Sequence, residues 1–224
     1  MMRAKLSVVI PVLNAAESLP ACLGALIEGV EAGLIRELLI SDGGSGDATV
    51  QIATEVGAVV IEGQASRGGQ LRRGAAVAAG EWILFVHGDC VLPKGWSTCV
   101  AAHLQTGHPA YFKLRFDAPG FAPWGVALWA NLRSRFFRLP YGDQGLLILR
   151  DDYDATGGYR DIPLMEDVAM SRALGRRLQA LPMAITTSAA RFKRDGWLRR
   201  GARNLALLVR YFLGVDPERL ARRY

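Results

Sequence analysis

The chain has 224 residues, of which 50% are hydrophobic and 21% charged, and its formal net charge is +6. This length is typical of one α/β domain, and the composition excludes a disordered chain because it supplies ample apolar surface for a core. No run approaches the roughly 18 apolar residues of a membrane-spanning helix. We also expect no secretory signal peptide, because the N-terminus lacks an apolar h-region and a cleavage site.

The excess positive charge belongs to one end of the chain. Residues 191–224 contain 10 Lys/Arg and 3 Asp/Glu, a balance of +7, whereas the remainder carries 17 basic and 18 acidic residues. A basic segment with interleaved apolar residues is typical of a helix that contacts phosphate or an anionic membrane, or of a solvated helix face. Both interpretations stay open. The three cysteines show no metal-ligand spacing, so we expect reduced thiols in a cytoplasmic protein.

Up to about residue 90, short apolar runs alternate with segments of helical periodicity. The predicted strands are residues 6–11, 37–40, 58–61 and 82–86. The predicted helices are residues 17–31, 47–56 with Asp47 as the cap, and 67–79. This alternation predicts βαβ units, and therefore an α/β fold with a mostly parallel, Rossmann-like sheet flanked by helices.

The second half is less regular. We predict strands at 111–116 and 146–149, a helix at 166–177 and a basic amphipathic helix at 197–213. No repeat or linker divides the chain, so we predict a single domain over residues 1–224. It comprises a regular half (1–90), a less regular half (91–190) and a basic helical tail (191–224). The extended, aromatic-rich segment 121–139 is expected to pack its apolar face on the core or on a partner subunit, with a membrane-contacting surface as the alternative.

Polar clusters follow three of the predicted strands, and ligands bind beyond the carboxyl ends of strands in open α/β sheets. After the second strand, Asp42 could accept a hydrogen bond from a nucleobase, and Gly43 lets the backbone approach a ligand; an ordinary Asp-Gly turn is the alternative. After the fourth strand, Asp89 suits a hard divalent cation, and His87 could add a nitrogen ligand or contact phosphate. A purely structural strand-ending Asp is the alternative there.

Two adjacent acids, Glu166 and Asp167, follow Pro163 at the start of a predicted helix. The helix dipole tolerates negative charge at this position, so an acid-rich helix start is one interpretation. In the functional interpretation, Asp167 is a general base that takes a proton from an acceptor hydroxyl.

Taken in order, these motifs resemble those of glycosyltransferase family 2, the inverting nucleotide-sugar enzymes with the GT-A fold. SVVIPVLN at 7–14 is similar to the family's opening strand, and DGGSGDAT at 42–49 is similar to its next conserved element. HGD at 87–89 occupies the place of the D-x-D metal motif, and GDQG at 142–145 and ED at 166–167 follow in the expected order. The HGD variant, the GDQG segment and the Arg-rich ending are most similar to small, soluble, single-domain bacterial members.

The resemblance implies transfer of a sugar from a UDP- or GDP-sugar to a hydroxyl of an unidentified acceptor, with a lipid-linked acceptor among the candidates. It makes residues 1–90 the nucleotide-binding half and residues 91–190 the acceptor and catalytic half. It implies Mn²⁺ or Mg²⁺ held by Asp89, with His87 where the family usually has Asp, and Asp167 as base with Glu166 beside it. Arg194 and Trp197 stand near a diphosphate-gripping Q-x-x-R-W element of relatives, although the spacing differs. The full set of predicted donor-binding residues is Pro11, Asn14, Asp42, Gly43, Arg67, Asp143, Gln144, Arg194 and Trp197.

Other functions make different demands on the sequence. A dinucleotide-dependent oxidoreductase requires G-x-G-x-x-G after the first strand, where this chain has PVLN. A nucleotidyltransferase-like enzyme usually carries a Gly-rich basic loop there. A non-catalytic nucleotide- or membrane-binding module would use the basic tail but leaves the strand-end acids unexplained. We expect no nucleic-acid partner; a homodimer, and peripheral contact of the tail with the inner face of the membrane, remain open.

Overall fold

The computed structural model describes residues 5–222; the outermost residues of the predicted domain and tail, 1–4 and 223–224, lie outside this range. The first half contains β1 (Leu6–Val12), α1 (Leu19–Glu31), β2 (Ile35–Asp42), α2 (Thr49–Glu55), β3 (Val59–Glu62), α3 (Arg67–Val77) and β4 (Trp82–Phe85). The second half contains β5 (Cys90–Val91), α4 (Trp96–Leu104), β6 (Ala110–Phe116), α5 (Phe121–Phe137), β7 (Leu146–Leu149), α6 (Arg150–Ala155), α7 (Glu166–Leu174), β8 (Gln179–Thr187), α8 (Ala190–Asp195), α9 (Trp197–Phe212) and α10 (Pro217–Ala221).

The eight strands form one sheet in the order β3-β2-β1-β4-β7-β6-β8-β5. β1 pairs in parallel with β2 and β4, β2 with β3, and β6 with β8. β7 is antiparallel to β4 and β6, and β5 is antiparallel to β8. The prediction of an α/β fold with a mostly parallel sheet is therefore confirmed.

Both faces of the sheet are covered, which explains the continuous apolar runs of its first strands. Along β1, Val8 and Ile10 join a core cluster with Trp96 of α4, whereas Val9 between them joins a second cluster with Leu71 of α3. Successive side chains of a strand point to opposite faces, so β1 needs apolar residues at every position. The carboxyl ends of β1, β2 and β4 consequently lie side by side at one edge.

The strand β8 was not predicted from the sequence. Its outward-facing residues are exposed and Pro182 interrupts it, so it lacks the continuous apolar run of a buried strand. The register against β6 shifts between Tyr111, which pairs with Ala180, and Lys113, which pairs with Ala184. A proline lacks a backbone N–H, so such an irregularity is where a strand accommodates it.

Two helix boundaries differ from the predictions for physical reasons. The N-cap of α2 is Ala48, while the carboxylate of Asp47 accepts from the backbone N–H of Thr49 one residue further on. The helix α7 ends at Leu174 because Gly175 adopts a positive φ of 53°, and residues 175–177 form a 3-10 turn.

The segment 121–139 is not extended, and its apolar face does not pack on the core. Residues 121–137 form α5, whose buried side is built mainly from small residues such as Ala127, Ala130 and Ser134. Its large side chains point outward, and Phe121 and Phe136 are 92% and 70% exposed. Small residues let α5 approach β6 closely, which leaves the aromatic side chains on the outer face. None of the helices within residues 5–222 has the length and hydropathy needed to cross a bilayer.

Candidate active site

A charged pocket lies beyond the carboxyl end of β4 and encloses about 590 Å³, including the space at its open mouth. Its ionisable lining residues are His87, Asp89, Asp143, Asp167, Arg67, Arg191 and Arg200. Three acids from separate parts of the chain therefore meet three arginines in one concavity. The structure brings together the predicted metal residues, the predicted base, Asp143 and Arg67.

Beside this pocket, the loops that follow β1 and β2 are tied to each other. The backbone N–H of Asn14 donates to Ser45 Oγ at 2.8 Å, and the N–H of Gly46 donates to Asn14 Oδ1 at 2.8 Å. Asp42 is 2% exposed, and its Oδ2 accepts from the N–H groups of Gly44 and Ser45 at 2.8 and 2.9 Å. The carboxylate of Asp42 thus shapes its own turn, in which Gly44 has a φ of 92° that favours glycine.

A buried glutamine on α3 supports this double loop. Gln70 is 5% exposed, and its Nε2 donates to the carbonyls of Val12 at 2.7 Å and Ser41 at 2.9 Å. A Cβ at Gly43 would lie 3.1 Å from the Gln70 amide, so glycine allows this close approach. Sequence analysis missed Gln70; its signal was an amide on the core-facing side of a predicted helix. Pro11 is located in β1 opposite Ser41.

His87 and Asp89 are positioned by the turn after β4. Gly88 packs against β1, where an added Cβ would lie 3.2 Å from Val12 Cγ1. The imidazole of His87 lies against Gly142, since a Cβ there would be 2.6 Å from its Cε1 and Nε2 atoms. Burial, followed by the positive charge of Arg67, lowers the pKa of His87. The imidazole is therefore neutral at pH 7 and able to act as a nitrogen ligand.

Asp143 occupies the 3-10 turn at residues 142–144. Its Oδ1 is buried and has no hydrogen-bond partner among residues 5–222. Burial raises the pKa of Asp143 to about 6, and the charges of Asp167 and Asp89 act in the same direction. A carboxylate that lines a charged pocket and has an unpartnered, buried oxygen is suited to contact a cation or a polar ligand.

Gln144 holds this turn in place and does not line the charged pocket. It is fully buried; its Oε1 accepts from Ser134 Oγ at 2.6 Å, and its Nε2 donates to the carbonyl of Phe112 at 3.1 Å. Arg133 adds a second support: its Nε donates to the carbonyl of Leu139 at 2.9 Å, and its guanidinium stacks 3.3 Å above the Tyr141 ring. Sequence analysis identified the GDQG motif but not this supporting arginine.

Asp167 is fixed at the start of α7 by two backbone donors. Its Oδ2 accepts from the N–H of Gly142 at 2.8 Å, and its Oδ1 accepts from the N–H of Val168 at 2.7 Å. Each oxygen keeps a further lone pair. Glu166 beside it is 1% exposed, and neither carboxylate oxygen has a hydrogen-bond partner in the described part of the chain. Burial, followed by the negative charge of Asp167, raises the pKa of Glu166 to about 8.

The C-terminal helices close the pocket with residues other than those predicted. Arg194 is exposed and pairs with Asp195 at 2.8 Å, while Trp197 stacks on Phe192 with ring centroids 4.9 Å apart. Neither lines the charged pocket, so the geometry adds no support to their predicted donor contacts. Arg191 and Arg200 line it instead. The Arg-rich segment was visible in the sequence, but which arginines face inward depends on how α8 and α9 pack.

The residues present fit a cation that is shared with a phosphate ligand. Within residues 5–222, no group of three His, Cys, Asp or Glu side chains is arranged to hold a metal ion. Asp89 and Asp143 nevertheless line the same pocket. Mg²⁺-type ions are usually bound by one or two carboxylates, substrate phosphates and several waters, so this donor set suffices for that coordination and not for an all-protein cage.

Comparison with solved structures relates the fold to known enzymes. S. aureus TarS 1-349 superposes with a TM-score of 0.64 at 17% identity, covering 91% of this chain and 64% of that chain. Glucosyl-3-phosphoglycerate synthase from Mycobacterium tuberculosis, in complex with Mn²⁺, UDP-Glc and phosphoglyceric acid, gives a TM-score of 0.60 at 21% identity, covering 82% of this chain and 72% of that chain. At these identities the likeness shows the fold alone, and it confirms the predicted GT-A architecture.

Sequence relatives agree with the structural neighbours. A PGL/p-HBAD biosynthesis glycosyltransferase of Mycobacterium tuberculosis is 34% identical over 164 residues, which cover 68% of this chain and 62% of the relative. A TPR repeat-containing protein of Synechococcus elongatus is 36% identical over 156 residues, covering 66% of this chain and 38% of the relative. This chain thus spans about three fifths of the mycobacterial relative and well under half of the cyanobacterial one.

The family match covers the loops that build most of the candidate site. The model described as Glycosyl transferase family 2 matches residues 7–164, which include the loops after β1, β2 and β4 and the GDQG turn. The acids at 166–167 and the arginines of α8 and α9 follow the matched region. With a match over more than half of its length and a fold shared with the GT-A enzymes, the chain belongs to glycosyltransferase family 2.

Proposed function

We propose that the chain transfers a sugar from a nucleoside-diphosphate sugar to an acceptor hydroxyl with inversion at the anomeric carbon. The observation that carries the proposal is the charged pocket, where Asp89, Asp143 and Asp167 meet the pocket-lining arginines beyond the strand ends of a family 2 chain. We further propose that residues 1–224 act as one catalytic domain, since the pocket takes its lining from both halves and from the tail.

The nucleotide is proposed to bind along the loops after β1 and β2. Pro11, Asn14, Asp42 and Gly43 are located there, and the mutual hydrogen bonds of the two loops give the ligand a preformed surface. Uridine nucleotides are the first candidates, because the structural neighbours include S. aureus TarS in complex with UDP-GlcNAc and the mycobacterial synthase in complex with UDP-Glc. GDP-sugars remain the alternative donor to test.

The diphosphate is proposed to lie in the charged pocket, where Asp89 and His87 would hold Mn²⁺ or Mg²⁺. When bound there, a divalent cation neutralises the diphosphate and so stabilises the departing nucleotide. Arg67 and Arg191 line the same pocket and place positive charge near the leaving oxygen. The neutral state of His87 avoids a third like charge beside those guanidinium groups.

Asp167 is proposed as the general base. The acceptor oxygen attacks the anomeric carbon as the bond to the diphosphate oxygen breaks, and the acceptor proton passes to Asp167. The two backbone N–H groups that fix its carboxylate leave one lone pair on each oxygen free for that proton. General-base assistance of this kind is typically worth about 10²–10⁴-fold in rate.

Donor hydrolysis tests this function without knowledge of the acceptor. Purified chain with Mn²⁺ and UDP-glucose, UDP-GlcNAc or GDP-mannose should release nucleoside diphosphate slowly, because water replaces the acceptor. Asp89→Ala should abolish the release, whereas Asp151→Asn, an exposed Asp of α6 outside the pocket, should leave it unchanged. Release that is equal in the wild type and Asp89→Ala would contradict the proposed donor site.

A further inference from the structure

The outer face of α5 is an apolar stripe that no described part of the chain covers. Its side chains recur at helical spacing and are 39% to 92% exposed; they are Phe121, Trp124, Leu128, Leu132 and Phe136. Scattered exposed apolar residues are normal, but a contiguous stripe of large side chains marks an interaction surface. The opposite side of α5 carries the small residues that pack on β6.

The neighbouring helix α9 adds a second stripe. Leu198, Leu205, Val209 and Phe212 recur at helical spacing and are 46% to 87% exposed. The two helices are neighbours: Ala127 and Trp197 belong to one apolar cluster, and Leu139, just after α5, and Leu208 belong to another. Leu205 of the second stripe lines the same cleft as Trp129, which follows Leu128 of the first stripe, so the two stripes border one cleft. We call them together the α5–α9 face.

The charged residues of α5 and α9 themselves are all arginines, and Asp195 just before α9 pairs with Arg200 and Arg203. Segment 121–138 contains three arginines and α9 contains four, and neither contains Asp or Glu. Arg135 and Arg138 are exposed beside the α5 stripe, and Arg199 and Arg210 are exposed on the side of α9 away from α5. An apolar strip of Trp, Phe and Leu bordered by arginine is the composition of an interfacial membrane helix.

A cleft between the two helices connects this face with the charged pocket. Val126 and Trp129 of α5 and Leu205 of α9 line it, and Tyr141 and Asp143 line both this cleft and the charged pocket. Trp129 and Leu205 are each about half exposed, so they contribute to both the face and the cleft. The cleft thus has residues of the α5–α9 face and a residue of the candidate active site in its lining.

We propose that the α5–α9 face docks on an anionic membrane surface, with α5 as the principal contact. A second copy of the chain is a poorer occupant, because a two-fold interface would bring the arginines of both copies together with no acid on either helix to pair with them. Anionic lipid headgroups supply that missing charge, because they attract Lys and Arg side chains near the membrane surface. The exposed tryptophans suit the headgroup level of a bilayer.

Docking in this orientation points to a class of acceptor, and this inference about the acceptor rests on the proposed function. With the α5–α9 face on the bilayer, the cleft opens toward the lipids and has Asp143 in its lining. An acceptor with an apolar tail could leave its tail in the cleft and present a hydroxyl to the charged pocket. Vesicle binding itself does not require the proposed transfer reaction.

The test is partitioning of the purified chain onto vesicles. Wild type should bind phosphatidylcholine vesicles that contain about a third phosphatidylglycerol, and bind pure phosphatidylcholine at least about tenfold more weakly. Trp124→Ser with Phe136→Ser should reduce binding at least about tenfold, because two exposed aromatic anchors are lost. Arg135→Gln with Arg199→Gln should reduce vesicle binding by a similar factor. Added salt should reduce the binding of the wild type in the same way, because it screens the attraction between arginine and the headgroups.

Ile27→Ser with Val30→Ser is the matched control, since these two side chains of α1 are exposed to a similar degree (56% and 60%) outside the α5–α9 face. This control variant should bind the vesicles as strongly as the wild type does. The proposal is overturned if the aromatic double variant binds vesicles as strongly as the wild type. It is also overturned if the wild type is a dimer in solution and the aromatic double variant is a monomer. A melting shift with Mn²⁺ and UDP, recorded on the same preparations, reports separately on the proposed function.

Discussion

Replacement of Glu166 by Gln should make the protein more stable at neutral pH and remove part of its pH dependence. Both carboxylate oxygens of Glu166 are buried without a hydrogen-bond partner among residues 5–222. An ionised carboxylate is strongly disfavoured in such surroundings, and burial accordingly raises its pKa from 4.5 to about 8. The folded chain therefore keeps the proton at pH 7, whereas the unfolded chain releases it.

The sign and size of the effect follow from proton linkage. Because the folded state binds the extra proton, the contribution of Glu166 to stability is fully present below pH 4.5 and is lost as pH rises toward 8. At pH 7 the loss amounts to about 3 kcal/mol, taking 1.36 kcal/mol for each pH unit above the unfolded pKa. Glutamine has a similar shape and no proton to lose, so Glu166→Gln should escape this loss.

Urea unfolding at pH 5, 6, 7 and 8 in EDTA measures the difference directly. The free-energy gap between Glu166→Gln and wild type should widen with pH and approach about 3 kcal/mol at pH 7. Glu17→Gln, at an exposed position of the loop before α1, should stay within about 0.5 kcal/mol of wild type throughout. Parallel curves for Glu166→Gln and wild type would refute the reasoning, because they would mean that Glu166 is ionised in the folded protein.

One further substitution tests the proposed catalytic base, and another tests the packing of α3. Asp167→Asn should lower kcat by about 10²–10⁴-fold in a steady-state transfer or hydrolysis assay while far-UV circular dichroism stays unchanged; near-wild-type kcat would exclude Asp167 as the base. Gly68→Ala should destabilise by more than about 3 kcal/mol in urea, because its Cβ would lie 1.8 Å from the carbonyl oxygen of Arg160. Gly24→Ala, in an exposed helix position with open space around it, should instead stabilise by about 0.5–1 kcal/mol, and equal effects of the two would contradict this packing.

The parts of the fold that were predictable are those in which local pattern and burial agree. β1 and β4 are covered on both faces, so their sequences are apolar at nearly every position and indicate strands without further context. β8 is a strand because it pairs with β6 and β5, and no local sequence pattern indicates that pairing. The outward direction of the α5 aromatics also escaped prediction, because an apolar stripe indicates a helix face but not what covers it.

The candidate site also contains residues that the sequence predicts and residues that it does not. Asp89 follows β4, Asp143 precedes β7 and Asp167 opens α7, and a polar residue at such an end of an element is conspicuous against apolar neighbours. Gln70 and Arg133 are equally important to the geometry, but they lie among other polar residues of their helices, and their partners are backbone carbonyls outside those helices. The choice of pocket-lining residues from α8 and α9 depends on helix rotation, which sequence alone does not specify.

The central claim is that the charged pocket binds a nucleoside diphosphate together with a divalent cation, and thermal melting tests it most directly. A ligand that binds only the folded state at about 100 times its Kd stabilises by about 2.7 kcal/mol, which shifts Tm by roughly 5–10 °C for a chain of this size. We expect such a shift with UDP or GDP and Mn²⁺ together, a much smaller one without the cation, and its loss in Asp89→Ala. No shift with either nucleotide at millimolar concentration, or an equal shift in Asp89→Ala, would contradict the claim.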